Sequence, residues 1–214
     1  MNEKLFPSIF YRNIENDNVY VQKCLKHLDK VPSCILDILI EDNVYIAFYS
    51  EMLLTDQPEF LGVKGLQVDP VEDPRYWDDI DMAYNDYYGS ILIGLEPILD
   101  FNKVWEIKEP RTESILHEVG HAVDSRIGKL FTRRNFSRNP IFLNLMASNK
   151  EEFTPHFYKY PGEFFADCFQ DYYLNPESKS QLEEDWLDMF NFIENIEYKA
   201  SRKPWWLKLR IKHW

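Results

Sequence analysis

In the segment Ile115-Leu-His-Glu-Val-Gly-His-Ala-Val-Asp124 two stripes of residues run side by side at helical spacing. Leu116, Val119, Val123 and, just beyond, Ile127 form an apolar stripe, while Glu113, His117, His121 and Asp124 form a polar one next to it. That pattern predicts a core helix that turns its histidines into a cavity. His117 and His121 stand at i and i+4, so both imidazoles lie on one face, one turn apart, where they can grip a single metal ion. Glu118 projects about 100° around the helix, where it can reach water beside such an ion but cannot comfortably ligate it. A carboxylate in that place suits a general base.

A catalytic zinc takes a third protein ligand and keeps one position open. The metzincin pattern would require glycine at position 124 and histidine at 127; Asp124 and Ile127 stand there instead, which excludes that class. Asp124 lies less than a full turn beyond His121, a place for hydrogen-bonding a ligand rather than the metal. The better candidate is Glu163, 42 residues beyond His121 in Pro161-Gly-Glu-Phe-Phe-Ala-Asp-Cys-Phe-Gln-Asp171. Asp167 shares its helix face at i+4 and can accept the second ring N–H of His117 or His121. Alternatively, both acids merely decorate the first turns of a helix, where they suit its dipole. The H-E-x-x-H upstream favours the ligand reading, and with it one zinc per chain in a hydrolase.

Working outward, helices are expected at Thr112–Ile127, closing at Gly128, at Pro140–Ser148, at Pro161–Tyr173 and at roughly Ser178–Ile196. The last would place Leu182, Trp186, Met189, Ile193 and Ile196 on one face. Upstream, residues 18–30 read as a helix ended by Pro32, and Asn43–Tyr49 and Ser90–Leu95 read as buried strands. Thr55–Tyr88, with Pro58, Pro70 and Pro74, reads as mainly loop, with one strand at Gly65–Val68. The fold class is therefore α+β, in a single domain spanning 1–214. A small mixed α/β N-terminal lobe (about 1–110) sets a short sheet over the H-E-x-x-H helix, and a helical C-terminal lobe (about 111–214) follows. A cleft between lobes is a natural place for a site.

With 24 basic and 36 acidic residues the chain carries a formal net charge of −12, which repels phosphate backbones and argues against a nucleic-acid partner. It weakly favours a basic protein or peptide. Cys24, Cys34 and Cys168 form no paired framework, as suits a reducing compartment. No stretch is long and apolar enough to span a membrane, and the first residues lack a secretory pattern. The expectation is a cytoplasmic location, with a mature form or export by another route as alternatives. Nothing in the sequence speaks to oligomeric state. Six of the basic residues fall in Lys199–Trp214, where Leu207, Leu209 and Ile211 alternate with Lys208, Arg210 and Lys212. That is strand periodicity, compatible with a packed closing segment, an acid-binding tail or a disordered end.

HEVGHAVD followed by PGEFFADCFQDYYLNPES and a helix containing WLDMFNFIENI resembles the lethal factor-like, Pro-Pro endopeptidase-like gluzincin family over roughly residues 90–197. The resemblance implies a zinc endopeptidase with His117, His121 and Glu163 as ligands and Glu118 as base. It also implies a mixed sheet above the motif helix, with Ser90–Leu95 as the edge strand that receives an extended substrate. One departure stands out: the family carries tyrosine seven residues before its ligand glutamate, where this chain has His156. The oxyanion donor is thus open among His156, which has the family spacing, Tyr158, which has the chemistry, and Tyr160. Two other functions compete. One is an intracellular regulatory metallopeptidase that cuts a repressor-type target, although EFFADCF does not quite match the E-x-x-A-N-x-F-A segment of that class. The other is a non-proteolytic zinc-binding interaction module, against which the intact Glu118 argues.

Overall fold

In a computed structural model, the structure describes residues 9–63, 67–69, 73–77, 80, 82–96, 111–148 and 155–202. Strand β1 (Ile9–Arg12) leads into α1 (Val19–Leu28) and α2 (Ser33–Glu41). Asn18 caps α1 by accepting from the backbone N–H of Tyr20 and Val21. Strand β2 (Tyr45–Ser50) follows, then the short pair β3 (Gln67–Asp69) and β4 (Asp73–Tyr76), and then β5 (Met82–Asn85) and β6 (Ser90–Glu96). The main sheet has the order β1-β2-β6-β5, parallel across its first three strands and antiparallel at β5.

β2 and β6 are buried on both faces, which is why their sequences read as continuous apolar runs. Ile46, Phe48, Ile91 and Ile93 point into the main core with the helices, while Ala47, Tyr49 and Leu92 join Leu54, Phe60 and Ala83 in a smaller cluster on the other face. The strand expected at Gly65–Val68 is found at Gln67–Asp69, and the segment expected as mainly loop also supplies β4 and β5. Ser90–Leu95 is not an edge strand: β5, folded back as a hairpin, covers its flank and is itself the edge among the described residues.

The helical part begins with α3 (Ser114–Ala122), continues through a π turn at Val123–Ile127, and ends in α4 (Gly128–Thr132). Gly128 therefore does not close the helix; Arg133, at φ 66°, does. Gly128 is instead a point of close approach, since a Cβ there would lie 2.6 Å from the backbone N of Phe136. Next come α5 (Pro140–Ser148), α6 (Pro155–Lys159), α7 (Pro161–Leu174), α8 (Pro176–Asp185) and α9 (Leu187–Ser201). The single helix expected over Ser178–Ile196 is two, broken at Trp186 (φ −138°, ψ 56°), whose indole packs on Phe164 at 5.3 Å. Leu182, Met189, Ile193 and Ile196 are nevertheless all buried. One apolar cluster runs from α1 and α2 across the sheet to α3, α7 and α9. The alternating segment Leu207–Lys212 lies outside the described residues. Among the described residues, no helix is long and apolar enough to cross a membrane.

Candidate metal centre

The three candidate ligands meet where α3 and α7 pack closely. At their contact stands Gly120, where a Cβ would lie 2.9 Å from the Ala166 Cα and 3.1 Å from the Phe169 Cβ. Glycine against alanine lets the helices approach, and the turn of α3 that carries His117 and His121 then faces the first turn of α7, which carries Glu163. Pro161 starts α7 at a position where its missing N–H costs nothing.

The imidazoles of His117 and His121 lie with ring centroids 4.6 Å apart, at 86° to one another. Each faces one oxygen of the same carboxylate: His117 Nε2 is 3.4 Å from Glu163 Oε2, and His121 Nε2 is 3.5 Å from Oε1. One ligand atom from each of the three residues falls within 4.8 Å of the others. Two imidazole nitrogens and a carboxylate, converging from two rigid helices and reachable from solvent, form a donor set that fits a zinc-type cation with an open position. Behind it, His117 Nδ1 meets Asp167 Oδ1 at 2.8 Å, so a carboxylate already fixes the orientation of that ring.

The carboxylates around the two rings favour positive charge between them. Burial, the largest influence on His117, disfavours its charged form, but bonds to Asp167 and Glu163 and the nearby Glu118 outweigh it and raise the ring to about 10. Burial pushes the Glu163 carboxyl up, yet bonds from His117 and His121 prevail and hold it well below the usual carboxylate range. Glu118 is only 8% exposed, and its carboxyl is raised by burial and by Glu163, against the opposing pull of His121 and His117. A carboxyl raised toward neutrality is better matched to proton transfer than an ordinary one. The backbone N–H of Tyr84 on β5 also acts on this carboxyl, favouring its charged form, an influence that no sequence pattern announces.

Asp124, 3% exposed, accepts from the Ser137 backbone N–H (2.6 Å) and hydroxyl (2.7 Å). Burial raises its carboxyl, and the Ser137 bonds oppose that. Its bonds thus tie the π turn to the segment after α4, and the charge of His121 acts on it through space. Ser137 is a partner that sequence spacing does not suggest.

The three candidate oxyanion donors fall on and just after α6. Tyr158 is 38% exposed and donates its hydroxyl to the Met146 carbonyl at 3.2 Å. His156 packs on Tyr160 with ring centroids 5.1 Å apart, and Lys159 Nζ lies 5.1 Å from the Tyr160 ring centre.

Comparison with known proteins bears on the family and the fold. The family model described as anthrax toxin lethal factor, N- and C-terminal domain, matches residues 1–196. A curated relative, the Pro-Pro endopeptidase of Clostridioides difficile (strain 630), is 26% identical over 180 residues, covering 80% of this chain and 73% of that protein. Among solved structures, the Pro-Pro endopeptidase from Paenibacillus alvei superposes with a TM-score of 0.66 at 19% identity, covering 88% of this chain and 96% of the other. The match reaches well upstream of the H-E-x-x-H helix, so sheet and helices belong to one shared architecture, and the chain is a member of the anthrax toxin lethal factor family.

Proposed function

We propose that this protein is a zinc-dependent endopeptidase, and the observation that carries the reading is the convergence of His117, His121 and Glu163 beside a buried Glu118. The three residues would hold the ion. Zinc bound there would supply Lewis acidity, polarising a scissile carbonyl and acidifying water. Glu118 takes the proton of the attacking water and returns it to the leaving nitrogen, a role its raised carboxyl suits. Asp167 holds the His117 ring in its ligating orientation.

Among the described residues the sheet edge beside α3 is β5, so an extended peptide would add there as a further strand, with its backbone laid along the motif helix. The relatives' names point to a bond between two prolines as the first to try. The test is mass spectrometry of a peptide library, including Pro-Pro sequences, exposed to the zinc-loaded protein and to Glu118→Ala. Cleavage by the former and none by the latter at equal zinc content is the expected result; equal cleavage by both would remove Glu118 from the role of base.

A further inference from the structure

The hairpin that joins β5 to β6 is bolted to the far end of the motif helix by polar groups that the metal centre does not use. Asp86, at the start of the turn, accepts from the Ser125 hydroxyl and from Lys129 Nζ at 2.8 Å, and Lys129 also reaches Ser125 Oγ at 3.1 Å. Arg126 spans the joint: Nε donates to the Tyr84 hydroxyl at 3.0 Å, Nη2 to the Asp86 carbonyl at 2.5 Å, and Nη1 lies 3.5 Å from Asp42 Oδ2. Gly89, at φ +67°, leaves the space, since a Cβ there would lie 3.0 Å from Arg126 Nη2. Ser125 and Arg126 both sit in the π turn, whose other side Asp124 fastens to Ser137.

Tyr84 connects this joint to the chemistry. Its hydroxyl is held by Arg126, and its strand, β5, packs directly against α3, the helix that carries Glu118. The Asp86–Lys129 pair does little for stability, because both side chains are about half exposed and ion pairs of that kind contribute little. What the joint does is set geometry. We propose that Arg126 is a positioning residue which, through Tyr84 and Asp86, sets the height of β5 against the H-E-x-x-H helix and so aligns an extended peptide on β5 with Glu118. The proposal rests on the endopeptidase reading above.

The experiment compares Tyr84→Phe, Arg126→Gln, Arg126→Lys and Asp86→Asn, measuring kcat and KM per zinc-loaded folded molecule together with amide hydrogen exchange at Met82–Asn85. Tyr84→Phe and Arg126→Gln should lower kcat/KM by about 10–100-fold, the scale of a small misplacement, at unchanged zinc content. The double variant Tyr84→Phe with Arg126→Gln should fall no further than Arg126→Gln alone, because the two share one contact. Arg126→Lys should recover part of the loss, and exchange at Met82–Asn85 should accelerate in Arg126→Gln. If Arg126→Gln does not fold, Tyr84→Phe, which deletes one hydroxyl, carries the kinetic test. Normal kcat/KM in Tyr84→Phe, or losses that only track the folded fraction, would overturn the proposal. If the unaltered protein cuts no peptide, the endopeptidase reading fails separately. Amide exchange then decides alone whether Arg126 fixes β5, with unchanged rates rejecting it.

Discussion

Without an ion, the His117 ring carries a proton that Asp167 and Glu163 hold in place, so proton and metal compete for one nitrogen. The folded-state value of about 10 lies above the ordinary 6.5, so this group stabilises the metal-free protein below about pH 6.5 and loses that contribution as pH rises toward 10. The melting temperature of the metal-free protein should therefore fall across that window, and zinc affinity measured by competition with a chelator should rise. A pH-independent affinity between 7 and 10 would contradict this. Asp167→Asn should weaken zinc binding by about 10–100-fold, since it leaves the His117 ring without its anionic acceptor. For the oxyanion, Tyr158 must release the Met146 carbonyl before its single hydroxyl proton can serve a substrate. Comparison of Tyr158→Phe, His156→Ala and Tyr160→Phe at constant zinc content identifies the donor as the variant in which kcat and kcat/KM fall together by about 10²–10³. If all three keep near-normal kcat, the donor lies outside this segment. The histidine spacing was plain in the sequence because it is local, whereas the influence of Tyr84 on Glu118 was hidden because it joins positions far apart in the chain.

At the level of elements, the site depends on how closely α3 and α7 pack. Gly120→Ala should push α7 off α3, cost about 1–3 kcal/mol of stability through overpacking, and weaken zinc binding as Glu163 recedes from the histidines. Chemical denaturation and zinc titration of that variant check both effects; retained stability with normal affinity would show that α7 can adjust without moving Glu163. α5 and α7 were legible in advance because their proline starts and apolar residues are contained within each segment, and α3 because its apolar and polar stripes are. The break at Trp186 was not, since the apolar face continues through it and only the backbone turns. α6 is too short for its periodicity to stand out, and α2 is a nearly continuous apolar run in which no single helical face is marked. Strand order was least legible of all: Ser90–Leu95 reads as a strand from its own residues, but its central place comes from pairing with β2 on one side and β5 on the other.

For the molecule as a whole, the net charge of −12 gives a long-range preference that no single residue owns. If the substrate is basic, kcat/KM should fall as ionic strength rises from about 0.01 to 0.15 M, and a neutral peptide of the same length should show little change. Equal salt dependence for both would assign the preference to local contacts instead. The central claim is that α3 and α7 together build a centre for one zinc ion. Elemental analysis of the purified protein, alongside His117→Ala, His121→Ala and Glu163→Ala at matched folded content, tests it most directly. One zinc per chain in the unaltered protein, and little or none in the two histidine variants, is the result expected; full zinc occupancy retained in both His117→Ala and His121→Ala would contradict it.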